Sequence, residues 1–288
     1  MRLALATLFT MIAFAANSIL TRMAIQGGHI DPSGFAIIRV LSGAVVLGMV
    51  ISLRGRGLPL LRRDRLPGAF SLALYLIGFS LAYLTLDAGL GALILFGVVQ
   101  ITMFAHGAVT GHSPGARQLA GGAVAFAGLV LALWPGAGTG VDPAGAVLMV
   151  LAGLGWAAYS IIGRRAVDPL ASTGANFLLC VPILLIVLTG TGLSFSVTGV
   201  ALGLLCGGLT SGLGYALWYW VLARIEGATA AVVQLSVPLI ALLAGAVLLG
   251  ETVSLSLMAA TVLVIGGIGL SVTARSAPAG RRPVPPKA

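Results

Sequence analysis

The chain has 288 residues, 59% of them hydrophobic and 8% charged, with a mean hydropathy of +1.10. Soluble globular domains carry about a quarter charged residues, so this chain cannot cover a water-soluble fold, and lipid must be the solvent for most of its surface. A net charge of +9 would suggest nucleic acid in a soluble protein; in an apolar chain the basic residues set orientation instead, and no nucleic-acid partner is expected.

Apolar stretches of about 18–25 residues, enough to cross a hydrocarbon core of about 30 Å as helix, recur along the chain. The first, 3–25, carries Asn17 and Ser18 and ends near Arg22. Seen alone it could pass for a secretion signal, but the spans that follow make it an integral helix. The second, 33–53, follows Asp31-Pro32 and holds Arg39 about 9 Å from its start. Such a charge must snorkel, pair or face water, so Arg39 either anchors helix two or attracts an anionic or zwitterionic solute group. A basic loop from Arg54 to Arg65 should rest on the anionic cytoplasmic leaflet. Helix three, 67–86, puts Tyr75, Phe79 and Tyr83 on one face, four residues apart. Helix four, 88–110, carries Gln100, Thr102 and His106, and helix five covers 117–134. His106 suits either a proton-coupled step or a neutral hydrogen-bonded imidazole.

Helix six, 143–163, carries Trp156, Tyr159 and Ser160; helix seven, 171–189, carries Asn176 near the place that corresponds to Arg39. Helix eight, 197–222, groups Tyr215, Trp218 and Tyr219, and helix nine, 227–249, holds Gln234 and Ser236. The two aromatic stripes match between the halves: they are either lipid and interface anchors or a cavity wall for an amphipathic solute. Pro182 and Pro238 should kink helices seven and nine. Helix ten covers 255–274, and the basic, proline-rich residues 275–288 should be disordered.

Phe14 to Ile25 returns as Trp156 to Val167, identical at six of twelve positions. The correspondence extends further: Asp87-Ala-Gly lies over Glu226-Gly-Ala, Gly111-His112 over Gly250-Glu251, and Gly128 over Gly267. The chain is therefore expected to hold two five-helix repeats, 1–137 and 138–274. Five spans per copy force the second to enter the membrane from the opposite side, giving ten transmembrane helices as two inverted five-helix repeats. Fourteen of the sixteen basic residues then lie on one side, with only Arg22 and Arg39 elsewhere. Both termini are expected in the cytoplasm of a multi-pass inner-membrane protein.

No phosphate-binding loop, zinc-spaced His/Cys cluster or Asp-rich motif is present, so no catalytic residue, metal or cofactor is assigned, and an enzyme is not expected. Cys180 and Cys206 read as small packing residues. All seven acids stand at span ends or in loops; Asp87, Glu226 and Glu251 should cap the helices they precede. Asn17, Arg39, Gln100 and Gln234 are the candidates for orienting a solute's polar groups.

In the second half, Trp218, Ala230-Ala231, Pro238, Gly250-Glu251 and Gly266-Gly267 resemble the pattern of the EamA-type drug/metabolite transporter superfamily, joined in the first half by Pro32, Arg39 and Gly128. Val99-Gln100 and His112 depart from it, where that pattern has a proline and a glutamate. The resemblance covers about residues 5–274. It implies export or exchange of small metabolites or drugs, amino-acid-like solutes among them, by alternating access, with helices three, four, eight and nine near the substrate. A lipid flippase of the same fold, or an intramembrane lipid-modifying enzyme, are the alternatives. The expected partners are a small-molecule substrate and membrane lipids, and a homodimer is left open.

Overall fold

The computed structural model describes residues 1–58, 60, 65–110, 115–134, 141–163, 168–188, 193–222, 224–225 and 233–273. Helix α1 is Arg2–Gln26, α2 Pro32–Leu53, α3 Leu66–Ala82, α4 Ala88–Val109, α5 Ala116–Leu133, α6 Pro143–Gly163 and α7 Pro169–Leu188. A further span, α8, joins Val197–Leu204, a π-helical Leu205–Leu213 and Gly214–Leu222; α9 is Ser236–Leu249 and α10 Leu255–Thr273. Among the described residues, Ile30 and Phe195 form an isolated antiparallel bridge, and no strand is present. Six helices, α1, α2, α4, α6, α7 and α8, are long and apolar enough to cross a membrane, while α3, α5, α9 and α10 are shorter.

Short polar residues set the helix starts. Asp31 accepts the Gly34 N–H at 2.9 Å ahead of Pro32, Asp142 the Gly145 N–H at 2.7 Å ahead of Pro143, and Asp168 the Ala171 N–H at 3.1 Å ahead of Pro169. In each case the acid satisfies a free donor, and the proline supplies a helical φ where its missing N–H costs nothing. Ser196 and Ser254 do the same for α8 and α10. Ends are made by glycine: Gly28 at φ +67° turns the chain after α1, and Gly250 at φ +66° closes α9 in the left-handed region.

Two proline expectations separate. Pro182 lies inside α7. Pro238, expected within helix nine, stands in the first turn of α9, which begins at Ser236 after a turn at Leu235. A proline so placed forfeits no helical hydrogen bond.

The helices pair in a regular scheme. α5 lies along α10, α2 along α7, α4 along α9, α3 along α6, and α1 along the successive segments of α8. Glycines permit the closest approaches: a Cβ at Gly207 would strike the Arg39 carbonyl and the Ser42 hydroxyl, and one at Gly121 would lie 2.5 Å from the Gly267 carbonyl. Gly107, by contrast, has open space around it.

Candidate functional site

Five helices converge on one small cavity. α1 contributes Phe14, Asn17 and Ser18, α3 Tyr75 and Phe79, α4 Leu95 and Phe96, α6 Trp156, and α8 Tyr215. It has room for about one water molecule. Trp156 is its hub, with ring centroids 4.9 Å from both Tyr75 and Tyr215 and 6.2 Å from Phe14. Outside this ring stand Trp218, 5.7 Å from Phe14, and Tyr159, 5.6 Å from Trp156.

Arg39 lies behind the Tyr75–Phe79 wall and is 0% exposed. Its Nε donates to Ser211 Oγ at 3.0 Å and its Nη2 to Tyr75 Oη at 2.9 Å; Nη1 has no hydrogen-bond partner. The guanidinium carbon is 4.9 Å from the Phe79 centroid and 5.3 Å from that of Tyr75, a cation–π arrangement. Among the described residues no carboxylate pairs with it. Asn17 is satisfied beside it: its Oδ1 accepts from Thr210 Oγ1 at 2.6 Å, Ser211 Oγ at 3.1 Å and Cys206 Sγ at 3.3 Å. The π-helical segment brings those three donors together, because i→i+5 winding turns Cys206, Thr210 and Ser211 toward one side. Cys206 thus donates to a polar network in addition to packing.

A charged cluster closes one end of the bundle. Arg22, expected as an end charge, is buried inside the last turns of α1; its Nη2 reaches Asp87 Oδ1 at 2.8 Å, its Nη1 the Tyr83 carbonyl at 3.1 Å, and its Nε lies 3.6 Å from Glu251 Oε1. Glu251 accepts the N–H groups of Ala88 at 2.7 Å and Gly89 at 3.4 Å, so it caps α4. Asp87 holds the capping position of α4 without making a capping bond, and Ser254 caps α10. Both expectations are corrected, since Arg22 draws the Asp87 side chain away and the α9–α10 junction folds back over α4. Burial raises the Glu251 carboxyl above its ordinary range and the Asp87 charge adds to the effect; the Ala88 and Gly89 N–H groups and Arg22 offset this only in part.

At the opposite end, Arg56 pairs with Asp168 at 2.6 Å and Arg65 donates to Ser172 at 2.7 Å. Partial burial pushes the Asp168 carboxyl up, but the Ala171 N–H and the Arg56 guanidinium together hold it below the usual range.

Of the residues singled out in the sequence, Asn17, Tyr75, Phe79, Trp156 and Tyr215 line the cavity, while Arg39, Trp218 and Tyr159 stand directly behind it. Tyr159 donates to Thr173 Oγ1 at 3.1 Å. Gln100 is buried on α4, one turn past Phe96 and outside the cavity lining. His106 is in the last turn of α4, half-buried and outside the cavity lining. Gln234 is half-buried just ahead of α9. In place of α9, α1 and α6 join α3, α4 and α8 around the cavity. The Tyr219 side chain, and Arg164, Glu226, Ala230-Ala231, His112 and 275–288, lie outside the described residues. Phe14, Ser18, Leu95 and Phe96 had no assigned role; Phe14 stood in the repeated segment, opposite Trp156, and that was its signal.

Residues 143–273 match the model of the EamA-like transporter family. The chain is 43% identical over 283 residues, 97% of its length and 98% of the relative's, to an uncharacterised protein of Pseudomonas aeruginosa. It is 27% identical over 203 residues, 65% of its length and 68% of the relative's, to a probable amino-acid metabolite efflux pump of Salmonella typhimurium. One solved crystal structure superposes with a TM-score of 0.66 at 19% identity, covering 93% of this chain and 98% of that one, which shows a shared fold. The chain is a multi-pass membrane protein belonging to the EamA-type drug/metabolite transporters.

Proposed function

We propose that this protein is a secondary carrier that moves small organic solutes, amino-acid-like metabolites or drugs, across the inner membrane by alternating access, as an exporter or exchanger. The observation that carries the reading is the aromatic cavity: residues before 137 and after 138 both line it, with charged closures toward either end of the bundle. A solute held by Phe14, Tyr75, Trp156 and Tyr215 would be exposed to one side when the Arg22–Asp87–Glu251 cluster parts, and to the other when Arg56 releases Asp168.

The inverted-repeat reading belongs to the same proposal, with repeats 1–137 and 138–274 and both termini cytoplasmic. Its support is the pairing scheme. A twofold exchange of α1–α5 with α6–α10 maps the α2–α7, α4–α9 and α5–α10 pairs onto themselves and α3–α6 onto α8–α1. The name of the Salmonella relative favours efflux of amino-acid metabolites.

Purified protein in proteoliposomes tests the proposal against a panel of amino acids, aromatic acids, nucleobases and cationic drugs. Saturable flux of at least one solute is expected; flux no greater than in protein-free liposomes for all of them would remove the reading.

A further inference from the structure

We infer that the cavity selects solutes bearing one carboxylate on an aromatic or apolar body; the inference rests on the transport reading above. The polar groups around the cavity are out of balance. Tyr75 Oη accepts from Arg39 Nη2 at 2.9 Å, and its own proton faces the neighbouring Tyr215 hydroxyl, so one phenolic proton of the pair is left for a further acceptor. Among the described residues, Tyr215 Oη makes no hydrogen bond of good geometry beyond its approach to Tyr75, and Arg39 Nη1 makes none. On the acceptor side, Asn17 Oδ1 already takes three donors. Donors therefore exceed acceptors, and the Arg39 charge, which arginine keeps at any accessible pH, has no carboxylate against it among the described residues. A solute carboxylate corrects both deficits: its two oxygens accept from the Tyr75 and Tyr215 phenols while the guanidinium behind them compensates its charge.

The rival occupant is a cation, because aromatic rings around a cavity can hold an ammonium group by their faces. Here the faces of Tyr75 and Phe79 are already taken by Arg39, at 5.3 and 4.9 Å. The same buried charge repels a second cation. Among the described residues no acidic side chain lines the cavity to receive an amine, so a monoanion fits better than a cation.

Phenylacetate, phenylacetamide and phenethylamine share a body and differ in charge, and Trp156 and Trp218 fluorescence reports their binding to the full-length protein in detergent. Phenylacetate should bind at least about tenfold more tightly than the other two. Tyr215→Phe removes a hydroxyl that makes no hydrogen bond of good geometry among the described residues, so folding is spared, and it should erase most of that preference. Equal affinities, preference for the amine, no binding of phenylacetate, or an undiminished preference in Tyr215→Phe would each overturn the inference. Saturable flux of a neutral or cationic solute would leave the transport reading standing in those cases. Phenylacetate binding with no flux of any solute would keep the anion site and remove the transport reading.

Discussion

The Glu251 carboxylate accepts the Ala88 N–H at 2.7 Å across 163 positions of sequence, so the junction between α9 and α10 caps the start of α4. The same carboxylate faces the buried Arg22 of α1. Three helices from both halves are thereby tied at one end by a single side chain, and parting them means separating ions in a place where water is scarce.

Removing that side chain should cost stability in two ways. Glu251→Ala loses the cap and leaves Arg22 with Asp87 alone, for an expected loss of about 2–4 kcal/mol, measured as unfolding by denaturing detergent. Glu251→Gln keeps an acceptor for the Ala88 N–H and should lose less. Equal losses in the two variants would show that the capping bond contributes nothing.

The pH dependence of the same group has a definite sign. Because the folded protein holds the Glu251 proton more tightly than the unfolded chain does, its contribution to stability is full below the ordinary carboxylate pKa and is lost as pH rises through the raised folded value. Melting temperatures of wild type measured against Glu251→Gln should therefore show the wild type gaining on the variant as pH falls from neutrality into the carboxylate range. A gap that is constant across this range, or that moves the other way, contradicts the assignment.

Close packing between α2 and the π-helical segment gives a third expectation. Gly207→Ala drives a methyl against the Arg39 carbonyl and Ser42 and should destabilise by about 1–3 kcal/mol. Gly48, also on α2, has nothing within 4 Å, so Gly48→Ala should be neutral or stabilising by up to about 1 kcal/mol. Detergent-denaturation midpoints for the pair decide it, and a loss of similar size at both positions would count against the close approach.

Polar residues near the cavity should divide by position. Tyr159→Phe removes the hydrogen bond to Thr173 and should cost about 1 kcal/mol while leaving solute affinity unchanged. Asn17→Ala removes the acceptor of three donors inside the cavity wall, costs about 2–3 kcal/mol, and should weaken solute binding as well. Affinity lost in Tyr159→Phe but kept in Asn17→Ala would mean that the solute sits on the far side of Trp156.

Much of this was legible locally. The Asp-Pro pair at 31 stands ahead of the expected second helix, and the structure shows the same device at 142 and 168, where cap and proline act within four residues. The Tyr75–Phe79–Tyr83 face follows from helical spacing, and those rings do pack in sequence, with centroids 5.2 and 4.8 Å apart. Long-range relations were not legible. Arg39 finds Ser211 at 172 positions' distance, and Glu251 caps α4, not α10, because of how the bundle closes. The π-helical stretch escaped a reading built on 3.6 residues per turn, and with it the role of Cys206, Thr210 and Ser211. His106 drew attention as a titratable side chain within a span, although the expected end of helix four at 110 already put it in the last turn.

Counterflow in proteoliposomes tests alternating access most directly. Vesicles loaded with excess unlabelled solute, taken from whichever compound shows saturable flux, are diluted into a trace of the labelled compound. A carrier should accumulate label transiently above equilibrium, because each outward trip returns the binding site to face the label. Label that merely equilibrates, at a rate indifferent to the solute inside, would indicate a passive pore and contradict the carrier mechanism.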